Sequence, residues 1–107
     1  MDWEKAKSFT NHRANGVLLK FPNGNIISTI WGCGSYTENH SGDWDYPEKL
    51  IEFGSNTVEI MFDTKDERLA RRICRKLTAD LDASVIGHIT MTQWLWVVNQ
   101  LSRGKHQ

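Results

Sequence analysis

The run Phe21-Pro22-Asn23-Gly24 constrains this chain more than any other feature, because it joins two segments that can hardly be anything but strands. Val17 to Phe21 and Ile26 to Trp31 are rich in branched and aromatic residues, the composition of a pleated, half-buried surface. Pro22 presets φ for the first central position of a turn, and Gly24 accepts the left-handed conformation that a Cβ resists. These residues favour a type I turn closed by a glycine bulge over a two-residue Asn23-Gly24 turn. The choice sets the register. In the bulged hairpin Val17, Leu19 and Phe21 share a face with Ile27, Thr29 and Trp31; in the tighter one they share it with Ile26, Ser28 and Ile30.

A third strand is predicted over Thr57 to Asp63, where Val58, Ile60 and Phe62 alternate with Thr57, Glu59, Met61 and Asp63. Thr64-Lys65-Asp66-Glu67 reads as a capping box opening a helix whose apolar stripe is Leu69, Ala70, Ile73, Cys74 and Leu77. Val85 to Ile89 is a short fourth strand, and Thr90-Met91-Thr92-Gln93 is a second capping box opening a last helix that ends near Gly104. Residues 1–15 form an arm or a short helix, and residues 16–107 one domain. The predicted fold class is therefore α+β: a small, mainly antiparallel sheet of about four strands in β-β-β-α-β-α order, with two helices on one face.

The totals narrow the function classes. The 107 residues are enough for one domain, and 39% apolar with 24% charged residues is a globular composition. Thirteen cations balance thirteen anions, so no overall charge pulls the chain toward nucleic acid or a membrane. No apolar run approaches the roughly 20 residues a spanning helix needs, and the first residues lack a signal-peptide layout. A cytoplasmic setting is expected, with Cys33 and Cys74 as reduced thiols and a bridge between them as the alternative.

The long connection from Gly32 to Ser55 holds Trp31, Tyr36, Trp44 and Tyr46 at or within its ends, beside Glu38, Asn39, His40, Asp43 and Asp45. Loops of this length often carry function. Its aromatic faces can stack on bases or pack on a partner, while the carboxylates and amides read donors and acceptors. The same aromatics could equally fold back onto the sheet. The block Phe21-x-Asn23-Gly24, Ile27-Ser28, Trp31-Gly32-x-Gly34-x-Tyr36-x-Glu38-Asn39, with Gly87-His88-Ile89 before the last helix, resembles a class of small proteins encoded by tailed bacteriophages. The likeness covers roughly 70 residues. Cys33, where proline is common in that class, and the arginine-rich helix depart from it. The resemblance implies a phage product in a bacterial cytoplasm, of the kind that modulates host machinery or host defence; it transfers no catalytic or ligand residue.

Helical winding gathers Arg68, Arg71, Arg72, Arg75 and Lys76 on one arc opposite Leu69, Ile73 and Leu77. Such an arc meets phosphates or an acidic surface, or is simply solvated. On the last helix Met91, Trp94, Val97, Val98 and Leu101 share one side, and Trp96 falls opposite. Either that helix is covered on both sides, or Trp96 belongs to a homodimer or partner contact. Cys33 with His40 or His88 is the only nucleophile–base pairing in view, and nothing in the spacing enforces it. Cys33, His40, Asp43 and Asp45 match no metal-ligand spacing.

The residues thus point to a non-enzymatic binding protein that modulates a bacterial component, a defence system first, by occupancy or sequestration. Its partner-binding residues are Trp31, Tyr36, Glu38, Asn39, His40, Trp44 and Trp96, and its anion-binding residues Arg68, Arg71, Arg72 and Arg75. No cofactor, metal or membrane is expected. A nucleotide or nucleic-acid binder is the first alternative, and a small thiol- or His-dependent enzyme the second.

Overall fold

The structure, a computed structural model, describes residues 7–11, 16–31, 55–83 and 85–103. Five strands form one antiparallel meander in chain order: β1 (Phe9–Asn11), β2 (Gly16–Lys20), β3 (Ile26–Ile30), β4 (Thr57–Asp63) and β5 (Val85–Thr90). Helix α1 (Glu67–Leu77) links β4 to β5, and α2 (Met91–Arg103) follows β5 directly. The α+β fold read from the sequence is the observed one, with β1 added at the edge where an arm or short helix was expected.

The β2–β3 hairpin takes the bulged form. The Gly24 N–H donates to the Phe21 carbonyl at 2.9 Å, the Phe21 N–H to the Asn25 carbonyl at 2.8 Å, and Gly24 has φ 92°. A side chain at that φ would meet the backbone, which glycine avoids. The resulting register sets Leu19 opposite Ile27 and Val17 opposite Thr29. That puts Leu19, Ile27, Ile60 and Phe62 on one sheet face, where the helices dock. Ile27, Ile60, Ile86 and Ile89 from the sheet meet Leu69 and Ile73 of α1 and Val97 and Leu101 of α2 in one buried cluster. On the opposite face Leu18, Ile26, Ser28, Ile30 and Glu59 are buried as well. All five β3 residues are buried, which accounts for a sequence, Ile-Ile-Ser-Thr-Ile, without polar alternation.

The α1 cap differs from the expected capping box. Asp66, not Thr64, is the N-cap: its Oδ1 accepts from the Arg68 and Leu69 N–H groups at 3.1 and 3.2 Å. The Thr64 hydroxyl accepts from the Asp66 N–H instead, fixing the approach to the cap. The α2 capping box forms as expected and is reciprocal. Thr90 Oγ1 accepts from the Gln93 N–H at 3.3 Å, and Gln93 Oε1 accepts from the Thr90 N–H at 2.9 Å.

The far end of α2 is held from outside the helix. Asn23 Nδ2 and Asn25 Nδ2, in the β2–β3 turn, both donate to the Leu101 carbonyl, at 2.7 and 2.9 Å. That carbonyl belongs to the last helical turn, where no N–H of the helix is left to receive it. Asn23 Oδ1 also accepts from the Asn25 N–H at 2.9 Å, which orients the pair.

β5 carries a bulge. Val58 pairs with Ile89 and Ile60 with Ile86, so Glu59 faces both Gly87 and His88. His88 absorbs the extra residue at φ 53°. The interruption lets Ile86 and Ile89 both enter the core, which uninterrupted alternation would forbid. Since a left-handed non-glycine residue costs about 1–2 kcal/mol, His88→Gly should leave stability unchanged or raise it by up to ~1 kcal/mol. His88→Val should lower it by about 1–2 kcal/mol in urea unfolding. Among the described residues no helix is long and apolar enough to cross a membrane.

Candidate functional site

Clefts of three different chemistries open on the described surface. The first is apolar, about 360 Å³, and lies between β2–β4 and the start of α2. Trp31, Trp94, Met91 and Val58 are its apolar walls; Thr29, Ser55 and Asn56 supply polar groups. The register that aligns Val17 with Thr29 brings the sheet side of this groove together. Trp94 is pinned: its Nε1–H donates to Thr29 Oγ1 at 2.8 Å. The indole N–H is thereby satisfied inside the protein, and its ring is left as an apolar wall. Met91, two-thirds exposed at 65%, gives the rim a deformable thioether. An aromatic-walled groove with few polar groups suits an apolar side chain or a flat ring.

The second cleft, about 380 Å³, lies between α1 and α2 and is lined by Arg72, Arg103, Gln100, Asp66 and Leu69. An Arg72 guanidinium N–H donates to Gln100 Oε1 at 3.2 Å, tying the two helices. The Asp66 carboxylate in this cleft is committed to the α1 N-terminus. The third cleft, about 300 Å³, is bounded by Asp63, Glu67, Arg71, Asp82 and Cys74. Burial pushes the Cys74 thiol up, Asp80 and Asp82 add to this and the Ala83 backbone opposes it; the thiol itself donates to the Ala83 carbonyl at 3.4 Å. The thiol therefore stays protonated near neutrality, and it is free.

The predicted site residues fall into three groups. Trp31 stands at the apolar groove, half-buried. Tyr36, Glu38, Asn39, His40 and Trp44 lie outside the described residues, as do Cys33, Asp43, Asp45 and Tyr46. Arg68, Arg71, Arg72 and Arg75 are exposed on α1, as winding required, but they do not share one site. Arg72 turns to α2, whereas Arg71 lines the third cleft beside three carboxylates.

Trp96 is half-buried. It is not bare; it packs against the core cluster, and Lys76 Nζ lies 5.3 Å from the centre of its ring. Of the two arrangements the sequence allowed, α2 is covered on two sides, by the sheet and by α1. The most exposed apolar residues of α2 are Met91 and Leu95, at 65% and 54%. Sequence reasoning also missed Trp94, which helical spacing assigned wholly to the core, and Arg103. Trp94 had no distinguishing signal; the clue to Arg103 was a cation in the last turn of a helix with no carboxylate. Among the described residues no group of three or more His, Cys, Asp or Glu side chains could hold a metal ion. Comparisons with family models, curated proteins and solved structures returned no match.

Proposed function

We propose that the chain is a non-enzymatic binding protein that acts by occupancy, seating an apolar or aromatic group of a partner protein between Trp31 and Trp94. The observation that carries this reading is the apolar groove itself: two tryptophans, one locked by Thr29, beside an exposed methionine. Half-buried aromatic walls of this kind concentrate binding energy in a few contacts once a partner covers them. The likeness to small tailed-phage proteins supplies the setting. The partner would be a component of the bacterial host, a defence protein first, and the effect would be masking of its surface.

Truncating an aromatic anchor typically costs at least ~2 kcal/mol, or about 30-fold in affinity. A host protein retained from bacterial lysate by the immobilised chain should therefore be lost when Trp31→Ala replaces it. A melting curve of that variant checks that the fold is intact. Retention of the same protein by both forms would remove the groove from the contact. Turnover of a substrate by purified protein, abolished by changing one ionisable side chain, would overturn the reading altogether.

A further inference from the structure

We propose that the outer surface of the α1–α2 layer is a second, separate binding face for the phosphate backbone of a nucleic acid. The chain as a whole is neutral, but its charge is segregated. The two helices carry Arg68, Arg71, Arg72, Arg75, Lys76 and Arg103 against Glu67, and α2 has no carboxylate at all. Arg68, Arg72 and Lys76 follow one another at four-residue intervals, about 6 Å apart along α1. That spacing is of the order of the distance between consecutive phosphates of one strand, so the row can follow them.

Two of these cations are held in place. Arg72 is oriented by Gln100 of the neighbouring helix, and Lys76 is laid over the Trp96 ring. Arg72 and Arg103 line one cleft between the helices, and its size of about 380 Å³ admits a phosphate with its sugar. The planar guanidinium fork matches phosphate oxygens in pairs.

The same row would attract an acidic protein, but Trp96, the large apolar side chain on this face, is half-buried against the core and lies beneath Lys76 rather than standing free as an anchor. Leu69, the apolar residue in the cleft, is buried at 4% exposure. Met91 and Leu95, the exposed apolar residues of α2, wind to the flank away from α1. Protein interfaces centre on apolar anchors, whereas nucleic-acid interfaces are polar and basic throughout.

The test is fluorescence anisotropy of labelled 20-nucleotide oligo-dT and oligo-U between 50 and 200 mM KCl. Three to four phosphate contacts should give a slope of log affinity against log salt of about −2 to −3. Arg72→Gln and Arg103→Gln should each reduce that slope by about 0.7 and weaken binding about fivefold at 0.1 M salt. Arg71→Gln, among carboxylates on the other flank of α1, should stay within about twofold, as should Trp31→Ala, which separates this face from the apolar groove. Binding of either strand with this pattern supports the proposal. Absence of binding at 50 mM salt would overturn it, as would equal weakening by Arg71→Gln. Displacement by poly-glutamate at equal charge concentration would overturn it in favour of an acidic protein.

Discussion

Exchanging Asn23 and Asn25 together for alanine should lower the unfolding free energy by about 2–4 kcal/mol, enough to move the thermal midpoint down by roughly 10–20 °C. Both side chains are buried, and both amide groups end on the Leu101 carbonyl. With both gone, a buried acceptor in the last turn of α2 loses two donors at once, at the full desolvation cost of that group. Either single change leaves one donor in place, so the pair should be coupled, with the double variant worse than the sum of the singles. Asn25→Asp gives the sharper control. It preserves shape but swaps the donor for oxygen, setting a lone pair against the carbonyl, and should cost more than Asn25→Ala. Strictly additive, small losses in a double-mutant cycle would show that water replaces the amides.

Ile73→Ala should cost about 2–5 kcal/mol, while Ile73→Val should cost about 0.5–1.5 kcal/mol. Ile73 has 0% exposure and lies in the cluster shared by the sheet and both helices. The deletion leaves a cavity where three layers of side chain meet, and the rigid sheet limits collapse into it. Urea unfolding should show a lower midpoint with an unchanged slope, because one cooperative core is being weakened. A changed slope, or loss of α1 signal before the sheet melts, would mean that α1 opens alone. The arginines of α1 stand on the opposite side of the helix from Ile73, so salt-dependent binding by the Ile73→Val variant should match the parent.

What could be read from the residues was local. Pro22 and Gly24 announce the bulged hairpin, and Thr90 with Gln93 announces the start of α2, because each involves groups within a few positions. The start of α1 was misplaced for the same reason. Thr64 and Asp66 are both good caps, and only the geometry shows the Thr64 hydroxyl spent on the Asp66 N–H. The clasp of Asn23 and Asn25 on Leu101 was beyond reach, since these partners are 78 and 76 residues from it. β1 was missed because a three-residue edge strand needs no apolar alternation. Trp96 was open between two arrangements because amphipathic spacing does not show whether a second element covers a helix, and α1 covers this one.

The candidate site follows the same division. Trp31 stood out because it heads a long connection crowded with aromatic and acidic residues. Trp94 did not, because a tryptophan at helical spacing looks like core until Thr29 is seen holding its edge. The aromatic and acidic residues from Tyr36 to Tyr46 fall outside the described residues, and the predictions made on them stay open to the capture and binding experiments above.

The two asparagines also bear on how the polypeptide is made. A ribosome delivers the β2–β3 turn early and the Leu101 carbonyl some 76 residues later. Until then the amides that will grip the final helix are hydrated, and the hairpin has nothing to close against. Stable structure is therefore a late, concerted event, completed only once α2 has cleared the exit tunnel. Stalling translation ahead of Leu101 should leave nascent chains that proteases cut readily.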